Sequence, residues 1–263
     1  MNCIILKISG KVMDNPSQAQ TLWQAITATQ ECVPVAIVHG GGKQVDQLLA
    51  KLGEPIERID GIRVTPESQI DIVAGVLAGN VNLHIVGALR AEGVHAVGLS
   101  LGSHGVLDCR LDHSHHSQLG RVGRPTDGDA RLVRTLLEDG YVPVVSSIGL
   151  DPDGGLLNIN ADDAAAMLAA SLQAQSLLYI SDVQGITDAR GDHLTTVEAE
   201  HVESMISSGT VAGGMAAKLR SASSALGQGV TSVQVTSVVG ASAFLRNEPA
   251  KSTVITLQKT AAP

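Results

Sequence analysis

Residues 36–45 read AIVHGGGKQV, an apolar run that stops at three consecutive glycines and then turns polar. Each glycine gives up more chain freedom on folding than any other residue, so three in a row need a reason. Two common phosphate-binding loops fail on spacing. A Walker A loop needs Gly, four residues and then Gly-Lys-Ser/Thr, but Gly42-Lys43 is followed by Gln44. A dinucleotide fingerprint needs G-x-G-x-x-G, and Val45 stands where its last glycine belongs. The context is a buried strand feeding a Gly-rich turn and a helix start. Free backbone N–H groups and the positive helix end then point at one spot, which favours an anion site over a plain tight turn.

The bulk numbers frame that reading. At 263 residues the chain can form one large α/β domain or two small ones. Hydrophobic residues make up 44%, aromatics only 2%, and mean hydropathy is +0.18. The core must therefore be built from Val, Ile, Leu and Ala, which suit a parallel sheet with small-residue helices packed on it. A net charge of −8 argues against nucleic acid as the main partner. It leaves room for a small anionic substrate in a locally positive pocket. Cys3, Cys32 and Cys109 show no zinc or redox spacing, which points to a reduced, cytoplasmic protein. Lys7 interrupts the first apolar run, so no signal peptide is expected. No apolar stretch reads as long enough to span a membrane, and no membrane partner is expected.

Working outward, strands are expected at 3–8, 35–38, 95–100, 141–149, 176–180, 233–236 and 252–256. Helices are expected at 16–29, 43–52, 129–138, 161–172, 197–207 and 215–226, with Gly53 as a C-cap. Residues 55–65 alternate like a hairpin about Asp60-Gly61. Thr65-Pro66 reads as an N-cap with proline at the first helical position, opening a helix that runs to about Arg90 with a break near Gly79-Asn80. Residues 102–127 turn polar and short-period, as hairpins do. Strands alternating with helices predict an α/β fold: a three-layer αβα sandwich around a central, mainly parallel open sheet. The 172–176 connection is taken as the boundary between two lobes, 1–173 and 174–263.

Four strand or loop ends look alike: Lys7-Ile8-Ser9-Gly10, His39 to Gly42, Ser146 to Gly149, and Ser181-Asp182. Each combines small residues with hydrogen-bonding groups. In an open parallel sheet, ligands bind outside the carboxyl ends of the strands, so these segments should converge. In GGMAAKLR, Lys218 falls early in a helix, where the macrodipole prefers a carboxylate. Such local conflicts collect at functional sites. NINADDAAA places Asn158, Asn160, Asp162 and Asp163 at a helix entry, where plain capping competes with a functional role.

The segments KISG (7–10), VHGGGKQVD (38–46), GIRVTP (61–66), NINADDAA (158–165), SDVQGI (181–186) and GGMAAKL (213–219) occur in the order and at about the spacing of the amino acid kinase family, and the chain resembles it over essentially its whole length. GIRVTP points to the branch acting on N-acetyl-L-glutamate. That resemblance implies ATP, as its Mg2+ complex, phosphorylating the substrate's side-chain carboxylate in arginine biosynthesis, with no metal ligand from protein side chains. It implies that Lys7 and Lys218 flank the transferring phosphoryl group and that Asp162 orients them. Gly41 and Gly42, with Gly10, would offer N–H groups to phosphoryl oxygens and substrate. Arg63, Asn158 and Asn160 would hold the substrate. Ser181, Asp182, Val183, Gln184, Gly185, Ile186 and Thr187, with Thr210, Val211 and Ala212, would line the nucleotide site.

The physics agrees with that assignment. A carboxylate needs no general base; what must be overcome is its repulsion by the triphosphate. Cations and N–H dipoles matched to the spread charge do this. A guanidinium fork suits a carboxylate, which makes Arg63 a sensible anchor. The chain also departs from the family. Ser9 stands where close relatives carry glycine, and Tyr179 is an unusual strand residue that the resemblance does not explain. The stretch DHSHHS, with His113, His115 and His116, looks like a metal cluster but is read as solvated imidazoles. The chain starts almost on its first strand, without the extra N-terminal helix of arginine-inhibited relatives. The expectation is an arginine-insensitive homodimer. The rival readings are other family kinases, a non-catalytic sensor of the same fold and a bifunctional synthase; GIRVTP, the presence of Lys7, Asp162 and Lys218, and the chain length weigh against them.

Overall fold

The structure is a computed structural model that describes residues 1–30, 32–113 and 118–257. Along the chain the strands are β1 (Ile4–Ile8), β2 (Val35–His39), β3 (Arg58–Ile59), β4 (Ile62–Arg63), β5 (Ala96–Ser100), β6 (Asp108–Leu111), β7 (Val122–Asp127), β8 (Val142–Ser146), β9 (Ile148–Leu150), β10 (Leu156–Ile159), β11 (Ser176–Ser181), β12 (Ile186–Thr187), β13 (His193–Leu194), β14 (Thr196–Glu198), β15 (Ser232–Ser237) and β16 (Ser252–Thr256). The helices are α1 (Pro16–Thr29), α2 (Gly42–Leu52), α3 (Ile70–Ala74), α4 (Asn82–Ala91), α5 (Arg131–Glu138), α6 (Ala161–Leu172), α7 (Val202–Ser207), α8 (Gly213–Gly227) and α9 (Val238–Leu245).

The central sheet has eight strands in the order β14-β16-β15-β11-β1-β2-β8-β5. It is parallel from β15 to β5, and β16 runs antiparallel to β15. Apolar clusters fill both of its faces. In β1 the period of two sends Ile4, Leu6 and Ile8 to one cluster and Ile5 to the other, so Lys7 shares the Ile5 face, which α6 covers. The predicted sandwich is therefore the observed one. Because β11, β1, β2 and β8 are parallel neighbours, the four singled-out ends do meet on one edge, with Ile8 paired to His39 and His39 to Ser146.

Local chemistry sets several boundaries. Asn15 caps α1 by accepting from the Gln18 N–H, with Pro16 at the first helical position. Gly53 ends α2 at φ +74°. The 55–65 hairpin forms as β3 and β4, turning through Asp60 and Gly61 at positive φ.

Other expectations are corrected. Thr65 is not an N-cap: its hydroxyl donates to the Arg63 carbonyl and accepts from Asn158, while α3 starts at Ile70. Residues 70–91 form one continuous helix through a π-helical stretch, Gly75–Val81, instead of breaking at Gly79-Asn80. This helix is long and apolar enough to cross a membrane by length and composition alone, contrary to the sequence reading. Its scattered Asn and Gly residues hide the run, and Val73, Leu77, Ile85 and Leu89 are spent on the core. The predicted strand 141–149 is two strands, because the chain crosses at Ser147 into a second sheet ordered β6-β7-β10-β9. The predicted helix 197–207 is β14, a 3-10 turn and then α7, since its first residues pair with β16. Helix α9 had no sequence expectation.

The triple glycine has a packing reason of its own. A Cβ on Gly41 would lie 2.7 Å from Leu77 Cδ2 and 3.1 Å from Val81 Cγ2, so the turn touches the long helix with no side chain between them. Gly41→Ala should lower stability by about 1–3 kcal/mol through overpacking. A Leu77→Ala background should remove most of that loss in a denaturant titration; an equal loss in both backgrounds would mean the contact is not what constrains Gly41.

Candidate active site

The converging strand ends form a cleft of about 580 Å3 between the Gly40–Gly42 turn, the β3–β4 hairpin and the start of α6. Lys7, from the end of β1, and Asp162 line it, and Lys7 and Lys218, from α8, both reach one oxygen of Asp162. Lys7 Nζ is 2.8 Å and Lys218 Nζ 3.0 Å from Asp162 Oδ1. All three are buried, at 9, 7 and 8% exposed respectively. Burial alone would raise the Asp162 pKa, but the two ammonium groups outweigh it and hold the carboxylate below its usual range. Lys218 is pushed below the ordinary lysine value by burial and then by Lys7, with Asp162 opposing. The cluster thus sets two lysines against one carboxylate oxygen.

The neighbours keep the group in place. Asn160 caps α6 through a 2.8 Å bond from the Asp162 N–H to its Oδ1, so capping falls to Asn160 and frees the Asp162 carboxylate for the lysines. Asp163 accepts from the Ser221 hydroxyl, and burial raises its pKa. The unexplained Tyr179 lies beneath the cluster, fully buried, with Lys218 Nζ 5.0 Å from its ring centroid and its hydroxyl donating to the Asp162 carbonyl at 3.2 Å.

Two glycine turns form the adjacent wall. Gly10 opens a 3-10 turn and Gly42 opens α2, whose first N–H groups have no intrahelical acceptor. Gln44 Nε2 donates to the Gly10 carbonyl at 3.0 Å and ties the two turns together. A Cβ on Gly10 would collide with the Gln44 amide. Behind them His39 is held between the Gly40 carbonyl and Asn82, each at 3.0 Å. Burial lowers its pKa to about 4, so it stays neutral near pH 7.

Arg63 enters from the hairpin. Its Nη2 donates to the Gly42 carbonyl at 2.9 Å and lies 2.6 Å from Asp46 Oδ1. Its Nη1 is buried and has no hydrogen-bond partner among the described residues. Asn158 also lines the cleft, its amide bonded to Thr65 Oγ1 at 2.9 Å. Lys7, Asp162, Gly10, Gly41, Gly42, Arg63, Asn158 and Asn160 thus line one cleft, and Lys218 joins them through Asp162. Residues 181–187 and 210–212 flank it instead, at the end of β11 and just before α8. Asp182 is joined to Lys11 by an exposed 3.5 Å contact. Gln44 and Asp46 were not singled out from the sequence. Both fall inside the quoted VHGGGKQVD segment, and Asp46 pairs with Arg58 as well as Arg63. Of the histidine stretch, His115 and His116 lie outside the described residues.

The model of the amino acid kinase family matches residues 2–237. The chain belongs to the amino acid kinase family. Among its relatives, the acetylglutamate kinase of Edwardsiella ictaluri is 41% identical over 225 residues, covering 84% of this chain and 86% of the relative. That of Colwellia psychrerythraea is 39% identical over 234 residues, 89% of this chain and 88% of the relative. Among solved structures, smu.665 from Streptococcus mutans superposes with a TM-score of 0.82 at 28% identity, over 97% of this chain and 98% of that one. A Giardia carbamate kinase, at 13% identity and a TM-score of 0.71 over 97 and 99% of the two chains, shares the kinase fold.

Proposed function

We propose that this chain transfers the γ-phosphoryl group of ATP to the side-chain carboxylate of N-acetyl-L-glutamate. The products are N-acetyl-L-glutamyl 5-phosphate and ADP, and the place is arginine biosynthesis. The observation that carries the reading is the Lys7–Asp162–Lys218 cluster, which meets a cleft also lined by Arg63. The names of its relatives at 39–41% identity support it.

A carboxylate oxygen of acetylglutamate attacks the γ-phosphorus. The bond from that phosphorus to the β,γ-bridging oxygen breaks, and ADP departs with the electron pair. Mg2+ enters as part of the nucleotide substrate, and the cation-rich, N–H-rich site suits the anion it accompanies. Lys7 and Lys218 stabilise charge spreading over the phosphoryl oxygens. Asp162 spaces the lysines, and the N–H groups at Gly10, Gly41 and Gly42 face the same oxygens. Arg63 takes the α-carboxylate, with Asn158 and Asn160 at the acetamido group. The acceptor side is assigned to lobe 1–173. The nucleotide is assigned to lobe 174–263, along Ser181 to Thr187 and Thr210 to Ala212.

The reading includes a homodimer in the cytoplasm. The free state of Cys3, Cys32 and Cys109 suits a reducing compartment. Leu83, 66% exposed on the apolar 70–91 helix beside edge strand β5, suits a covered surface.

The test is ADP release with magnesium-ATP and N-acetylglutamate, glutamate, aspartate, carbamate or UMP, with hydroxylamine trapping any acyl phosphate. Activity and hydroxamate with N-acetylglutamate alone are expected. Turnover of another acceptor would overturn the substrate, and no turnover with any would favour a sensor. Arg63→Lys should raise the KM for acetylglutamate about tenfold or more with little change in kcat, because a point charge replaces a fork. A selective rise in the KM for ATP would put Arg63 in the wrong half of the site.

A further inference from the structure

We propose that Tyr179 is a positioning residue for phosphoryl transfer, its ring seating the Lys218 ammonium and its hydroxyl fixing the start of α6. The chain has only two tyrosines, one tryptophan and one phenylalanine. One of these few aromatics lies in the central strand β11, at 0% exposure, where an aliphatic residue would complete the Val, Leu and Ile core. Its backbone pairs in register with Lys7 on β1. Its ring centroid is 5.0 Å from Lys218 Nζ, and its hydroxyl donates to the carbonyl of Asp162. Tyr179 therefore touches Lys218 and Asp162 with its side chain and is the cross-strand partner of Lys7.

The cluster needs such a neighbour. Lys218 is faced by Lys7 from β1, by Asp162 from α6 and by Tyr179 from β11, while Asp163 of α6 is engaged by Ser221 on the same helix as Lys218. Two ammonium groups share one carboxylate oxygen out of water, so charge balance and desolvation both favour loss of a proton from Lys218. A second carboxylate would neutralise the cluster and weaken its pull on phosphate. The negative face of an aromatic ring stabilises a cation without adding net charge. The phenol itself stays protonated, because burial and then Asp162 raise its pKa well above the ordinary value. Its O–H thus remains a donor to the first turn of α6, which carries the shared carboxylate.

The inference rests on the reading of Lys218 as a cation of the transfer, and the test separates the two. It uses steady-state kinetics from neutral to alkaline pH and thermal midpoints for Tyr179→Phe, Tyr179→Leu and Lys218→Ala. Tyr179→Leu should lower kcat by about tenfold with smaller KM changes, and move the alkaline limb of kcat toward neutrality, since a less stabilised ammonium loses its proton earlier. Tyr179→Phe should keep that limb, because the ring remains. If the leucine variant does not fold, phenylalanine with successive ring fluorines at position 179 preserves shape and removes the negative face. The limb should then shift stepwise with fluorine content. A limb that stays put in Tyr179→Leu or across the fluorine series would reduce Tyr179 to a core filler and overturn the inference. Undiminished kcat in Lys218→Ala would overturn the underlying reading instead.

Discussion

Lys218→Ala lowers kcat for acetylglutamate phosphorylation by about 100-fold or more, while both KM values stay within about threefold, because its cation acts on charge that develops mainly in the transition state. The same substitution should leave the thermal midpoint unchanged or higher. Lys218, the sixth residue of α8, is buried and shares one carboxylate oxygen with a second lysine. Removing it leaves Lys7 and Asp162 as a matched pair, so the fold loses a conflict while the reaction loses a cation. Activity and stability moving in opposite directions would mark Lys218 as a residue retained for function. Rate assays at saturating substrate and a calorimetric midpoint check both halves. Unchanged turnover would take Lys218 out of the mechanism, and a large drop in midpoint would make its role structural.

Part of the site is legible in the sequence. Three glycines after an apolar run are costly, and Asn-Ile-Asn-Ala-Asp-Asp offers more capping groups than one helix entry uses; both lie on the cleft, and the lysine of GGMAAKLR reaches it through Asp162. The sheet is equally legible, because β1, β2, β8 and β11 are short apolar runs ending in small polar residues, and parallel pairing aligns such ends. What stayed hidden depends on tertiary partners. Thr65-Pro66 has the local signature of a helix start, but Asn158 claims the threonine hydroxyl. Val197 and Glu198 read as the start of the predicted helix 197–207 and become part of a strand only because β16 lies beside them. The small residues of α9 show little polar–apolar contrast, since the helix packs on the sheet and on α1. Tyr179 looks out of place in β11 until Lys218 and Asp162, distant in sequence from each other, arrive at its ring and hydroxyl. Among Asn160, Asp162 and Asp163, the cap and the counter-ion could not be told apart by spacing alone, because each can accept from a helix N–H.

Asp162→Asn should cost both activity and stability, in contrast to the lysine substitution. The amide keeps the shape of the carboxylate but removes the negative charge that Lys7 and Lys218 share at 2.8 and 3.0 Å. Two ammonium groups are then left desolvated and facing each other. Breaking a buried pair by removing one partner costs about 3–5 kcal/mol. One lysine should respond by losing its proton near neutral pH, so kcat falls by about 100-fold or more as the transfer loses one of its cations. The pH dependence has a defined sign. The Asp162 pKa is lowered in the folded protein, so its contribution to stability is present above the unfolded value of about 3.9 and is lost as pH falls through the lower folded value. Urea unfolding midpoints measured from neutral to acid pH should therefore fall less steeply in Asp162→Asn than in the parent at the acid end, with the two curves converging there. Parallel curves, or a variant as stable as the parent at pH 7, would show that Asp162 does not bind the lysines together, and that the two cations are held in the cleft by other means.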